Sequence, residues 1–188
     1  VNIFDYERLV LEKFPEIHRV RCINHTNDLK ELMPGHVTLA VIPDISQRTT
    51  TNDLQPKVNI NLLSEIQTYL ESLSPCWASI HVLNPLYEEI KVEFEVKFNQ
   101  PNFGFYRATL QEAIVGFLSP WTTGTERDIH FGGKMFRSSI LNFVKEQSYV
   151  DYVLNFLMHH TIGEGANETT LKNVREAGAE YARSILVS

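Results

Sequence analysis

The residues best suited to chemistry crowd into one stretch, "FLSPWTTGTERDIHFGG", residues 117–133. Glu126, Asp128 and His130 lie within five positions, with Ser119 upstream and Ser138 downstream. A hydrolase would need a hydroxyl, an imidazole and a carboxylate within hydrogen-bond reach. Ser119 precedes a proline and lacks the Gly-x-Ser-x-Gly elbow that exposes a nucleophile. Ser138 and Ser139 fall in the first turn of an expected helix, where hydroxyls serve the backbone. His130 with Asp128 and Glu126 has the donor types of a metal site, but His-x-x-x-His and Cys-x-x-Cys spacings are absent, and the adjacent His159 and His160 point to opposite faces of a strand. "HFGGKM" has the ring of a phosphate loop. Asp128 stands where that loop needs its first glycine, and Met135 where it needs a hydroxyl. Glu88 and Glu89 read as solvated residues at a strand start. No catalytic residue, metal or cofactor is expected.

What remains in the stretch is mechanical. Pro120 stops a helix, Ile129 and Phe131 make a short extended piece, and Gly132-Gly133 free the backbone to turn before the next helix. Trp121 lies outside any helical stripe. It either plugs the seam between loop and sheet or anchors a partner. Arg48 and Lys57, in a long polar stretch, are the other candidate partner contacts.

The elements that must position these residues follow from periodicity. Tyr6, Val10, Leu11 and Phe14 mark a helix that Pro15 stops. "IHRVRCIN" reads as a strand, "LMPGH" as a turn, and "VTLAVI" (37–42) as a buried strand. Residues 43–58 lose all pattern and read as a long exposed loop. Leu62, Leu63, Ile66, Leu70 and Leu73 form a helical stripe, and "CWASIHVL" is the next strand. "EEIKVEFEVKF" alternates apolar and charged residues, so one face is buried and the other wet. Leu110, Ile114, Phe117 and Leu118, then Ile140, Phe143 and Val144, mark two more amphipathic helices. "VDYVLNFLM" (150–158) closes the second set. The fold class predicted is α+β: two small consecutive α/β-sandwich-like modules, each a short mixed or antiparallel sheet with helices on one face. The first module spans 1–84, the second 85–160 with its boundary at Asn84-Pro85, and 161–188 is a tail or arm ending in a strand.

The bulk numbers agree with such a protein. The chain has 188 residues, 43% hydrophobic and 21% charged, which suffices for a core without covalent staples. A formal charge of −6 argues against general nucleic-acid binding. Cys22 and Cys76 are expected to be buried, reduced thiols. No apolar run is long enough to predict a membrane-spanning helix, and the first residues lack the basic start and apolar stretch of a signal peptide. The missing initiator Met and the apolar "SILVS" end lead to the expectation of a piece of a longer protein.

In order and spacing, "DYERLVLEKFPEIHRVRCINH", "PGHVTLAVIP", "NPLYEEIKVEFEVKF", "FLSPW", "IHFGGKMFRSSILNFVKEQSYVDYV" and "ARSILVS" together resemble the carboxy-terminal part of the baseplate J-like family, over about residues 5–187. These proteins form the wedges of contractile phage tails and contractile injection systems. The resemblance implies a structural, non-enzymatic role, in which wedge subunits self-associate and contact other baseplate subunits around the tail hub, with no cofactor and no catalytic residue. It implies assembly in the bacterial cytoplasm, then a place in a phage tail or injection particle. The chain lacks the long amino-terminal region of larger members. Two other classes compete: a small-molecule-binding regulatory module with a site between the two modules, and a hydrolase built on His130, Asp128 and Ser119 or Ser138.

Overall fold

The computed structural model describes residues 3–26, 32–44, 54–99, 101–119, 121, 131–163 and 168–188. These make a mixed α+β protein of small open sheets. The chain divides into two compact units, residues 1–86 with 181–183 and residues 87–180 with 184–188.

The first unit runs α1 (Ile3–Lys13), β1 (Ile17–Thr26), β2 (Leu32–Pro43), α2 (Ile60–Leu73) and β3 (Ser79–Leu83). Its sheet has the order β1-β2-β3, with β1 antiparallel and β3 parallel to the central β2. Parallel pairing requires a long crossover, and α2 supplies it. Asn59 caps α2, its side chain accepting the Asn61 N–H at 2.9 Å. Asn84 then ties the entry of that helix to the exit of β3: its amide and the backbone of Val58 exchange hydrogen bonds of 2.7 and 3.0 Å. The core joins Tyr6, Val10 and Phe14 of the first helical stripe to Leu39, Val41, Ile66, Leu70, Ile80 and Val82. Leu11, the remaining residue of that stripe, is exposed.

"LMPGH" belongs to β2 rather than to a turn. Gly35 adopts a φ of +86°, which lets the strand continue through a kink that a side chain would strain. Cys76 departs from its expected burial. It sits in the turn between α2 and β3 and is exposed, whereas Cys22 is buried in β1. Both thiols are free.

The second unit comprises β4 (Leu86–Phe98), α3 (Phe103–Leu118), β5 (Lys134–Phe136), α4 (Arg137–Lys145), β6 (Val150–Ile162), β7 (Thr169–Leu171), β8 (Glu176–Gly178) and β9 (Ser184–Val187). The main sheet has the order β7-β6-β4-β9, and β5 pairs with β8 in a small second sheet. The alternation of β4 is obeyed: Ile90 and Phe98 are buried, Val92, Phe94 and Val96 half-buried, and Lys91, Glu93, Glu95 and Lys97 exposed. β6 carries a bulge opposite Glu93 and Glu95, where Asn155 takes a φ of +50° and its side-chain amide donates to Glu95 at 2.9 Å. Ile90, Leu110, Ile114, Ile140, Val144, Met158 and Ala177 form the core. The Phe117 and Phe143 rings stack at 4.4 Å and join α3 to α4.

Candidate functional site

Of the residues proposed for hydrolysis, His130 and Asp128 lie outside the described residues, as do Glu126 of the metal-site reading and Pro120. Ser119 is fully buried, and its hydroxyl oxygen accepts the Ser188 N–H at 3.2 Å, so it serves the backbone. Ser138 is exposed in the first turn of α4. Gly132 takes a φ of +64°, and Lys134 after it faces Glu176 at 3.8 Å across β5 and β8. Among the partner-contact candidates, Lys57 is exposed just before α2, Trp121 is half-buried just past α3, and Arg48 lies outside the described residues.

The adjacent histidines do point to opposite faces. His159 Nδ1 accepts the Asn173 N–H at 3.3 Å, and its Nε2 lies 3.8 Å from the exposed Glu93. His160 faces inward, and its Nε2 meets Glu88 Oε2 at 2.7 Å. In the first unit His36 and His81 stack with nearly parallel rings and a 2.9 Å N···N hydrogen bond. Among the described residues no group of three His, Cys, Asp or Glu could hold a metal.

The Glu88–His160 pair corrects the reading of Glu88 as solvated: it is only 1% exposed. Its second oxygen accepts the Glu180 N–H at 2.9 Å. Burial pushes the carboxyl upward, but hydrogen bonding from His160 and the Glu180 backbone, with the charge on His160, outweighs this and holds it below the ordinary carboxylate range. The signal was present in the sequence. Glu88 stands two residues before Ile90, in phase with the inward row, and His160 stands two residues after the buried Met158. In a period-two strand both must face the core, where only a mutual pair tolerates them. Three segments are joined there: β4, β6 and the Glu180 backbone. The contact braces the sheet and leaves no group directed at a substrate.

A groove of about 580 Å³ lies between β4 and α3 within the second unit. Its walls are mainly apolar, from Val92, Phe94 and Val96 on one side and Phe103, Leu110 and Ile114 on the other.

The buried Glu88–His160 pair braces strands of an α+β unit, and sequence comparison gives the kind of protein: a baseplate protein. Residues 4–180 match the family described as baseplate protein PVC11-like, and the chain belongs to that family. The family is one of baseplate proteins. Among solved structures, a chain in the cryo-EM structure of the anti-feeding prophage (AFP) baseplate, 6-fold symmetrised, matches with a TM-score of 0.66 and 22% identity. The match covers 98% of this chain and 37% of that one, so the chain spans little more than a third of its structural relative's length. At this identity the likeness is one of fold. No curated protein matches.

Proposed function

We propose that this chain works in a baseplate wedge, by self-association and by contact with neighbouring subunits, as the baseplate J-like proteins it resembles do. It makes and breaks no bonds. It assembles in the bacterial cytoplasm and is then carried in the finished particle. Trp121, Arg48 and Lys57 belong to its contact surfaces.

The observation that carries this reading is an apolar end on the first sheet. Leu32 is 84% exposed, Trp77 is 79% exposed, and Met33 is partly exposed. The parallel register pairs His36 with Ser79, which brings residues 32–35 and Trp77 to the same end. A Cβ on Gly35 would stand 3.7 Å from the Trp77 carbonyl oxygen. Large apolar side chains left in water together mark a surface that a partner covers.

The test is co-assembly with the neighbouring subunits of the same particle, followed by size-exclusion chromatography and negative-stain microscopy. Trp77→Glu and Leu32→Glu are expected to keep the fold and weaken incorporation roughly tenfold or more, the scale of losing an aromatic anchor. A parent chain that stays monomeric and apart from every neighbour contradicts the proposal.

A further inference from the structure

β3 has five residues, and among the described residues β2 is its one neighbour in the sheet, paired in parallel over residues 36–40 and 79–83. Parallel pairing is the weaker kind, so a side-chain tie across it counts. Here His36 Nδ1 and His81 Nε2 meet at 2.9 Å. Their rings lie within 5° of parallel, with centres 5.2 Å apart. That separation is no more than the N···N distance plus the reach of each nitrogen from its own ring centre. The two nitrogens therefore lie on the line joining the rings, and the N–H of one points at the lone pair of the other. Lone pairs set head to head cannot both turn to one metal ion unless a ring moves, whereas a proton fits between them as they stand.

We infer that the His36–His81 pair is a proton-operated latch on the β3 edge, closed while at least one ring is neutral and opened when both are protonated. With a neutral ring present, one facing nitrogen donates and the other accepts. When both rings are imidazolium, every ring nitrogen carries a proton. Two N–H groups and two like charges then face each other at hydrogen-bond distance. The surroundings do not offset that charge. Val37, Leu39, Ile80 and Val82 alternate with the histidines and face the core, where α1 and α2 pack. On the histidine face the register places Arg19, Arg21 and His25 of β1, and among the described residues the three strands carry no carboxylate there. Thr38, which pairs with His81, already donates its hydroxyl to the Thr26 carbonyl at 2.7 Å.

The direction of the switch follows from proton counting. The closed edge resists the second proton, and an opened edge, with its rings apart in water, takes it freely. The open form therefore binds more protons, and closure is lost as the pH falls through the range where histidine ordinarily becomes charged, about pH 8 to 5. The latch sits at the end of the sheet that carries the exposed Leu32, Met33 and Trp77, since His36 pairs with Ser79, two residues beyond Trp77. Mild acid thus loosens the strand that positions Trp77. The latch belongs to the chain itself and is independent of the baseplate role.

The test is NMR of the full chain with nitrogen-15-labelled histidine, beside amide exchange at about pH 7.5 and about pH 5, corrected for intrinsic rates. At the higher pH one slowly exchanging ring N–H is expected to couple the two histidines, and to vanish in either His36→Gln or His81→Gln. At the lower pH exchange at residues 79–83 is expected to speed up at least about tenfold, the scale of one extra proton over a pH unit. Residues 66–70 of α2 are expected to stay slow. Glutamine keeps a hydrogen-bonding amide and takes no proton, so in each variant the acid opening of β3 is expected to disappear. The ring measurement on the parent chain needs neither variant to fold. Two independent one-proton titrations with no shared N–H overturn the inference, as does an acid opening that persists in both variants. So does stoichiometric zinc binding by the parent chain that both variants abolish, which assigns the pair to a metal.

Discussion

At the scale of single residues, the buried Glu88–His160 pair carries the largest local stake. Removing one partner strands the other in the core, along with the Glu180 N–H. Glu88→Ala is expected to cost about 3–5 kcal/mol in urea unfolding. The carboxyl is held below its ordinary value of 4.5 in the fold, so its stabilisation is complete above that value and is lost as the pH falls through the lower, folded one. Glu88→Gln is expected to flatten this acid-side loss, which unfolding curves across the acid range would reveal. The two cysteines separate as sharply. Burial, aided by the nearby Glu7 and opposed by Arg21, pushes the Cys22 thiol up to about 12, and its backbone N–H is held by Glu7 at 2.8 Å. Cys76 is exposed. Ellman's reagent is expected to titrate one thiol in the native chain and two in guanidinium, with Cys76→Ser abolishing the native reaction. The sequence context of both thiols was apolar, so residue type alone could not separate them. The turn that exposes Cys76 is set by Pro75 closing α2 before β3 begins.

At the scale of elements, legibility followed length. The stripe of α2 was readable because Ile66 and Leu70 repeat at helical spacing, and both are fully buried against β2 and β3. Ile66→Ala is expected to destabilise the chain by about 2–5 kcal/mol in thermal or denaturant unfolding. The alternation from Ile90 to Phe98 made β4 readable, and at Glu88 the period carried more information than the residue type. β5, β7 and β8 have three residues each. Such pieces hold no period. Their strand geometry comes from partners distant in the chain, as when Lys134 pairs with Gly178. The kink at Gly35 was read as a stop for the complementary reason: Pro and Gly signal turns locally, and the pairing of β2 with two neighbours overrides that signal.

At the scale of the whole molecule, the α+β class followed from layers of amphipathic elements, and the baseplate role from the family resemblance over about residues 5–187. The groove was not legible, because it lies where β4 faces α3 in space, and neither that packing nor the strand order is present in local pattern. That order has a further consequence during synthesis. β4 emerges early in the second unit, while β9, which pairs with it, is made only after the rest of that unit's helices and strands. Residues 99–183 separate them, so at about 5–20 residues per second the ribosome takes roughly 4–17 s to supply the missing neighbour. Until β6 and then β9 are made, the nascent chain carries a thirteen-residue strand with an unmet edge, and Lys91, Glu93, Glu95 and Lys97 are the residue types that discourage such a strand from pairing with other chains.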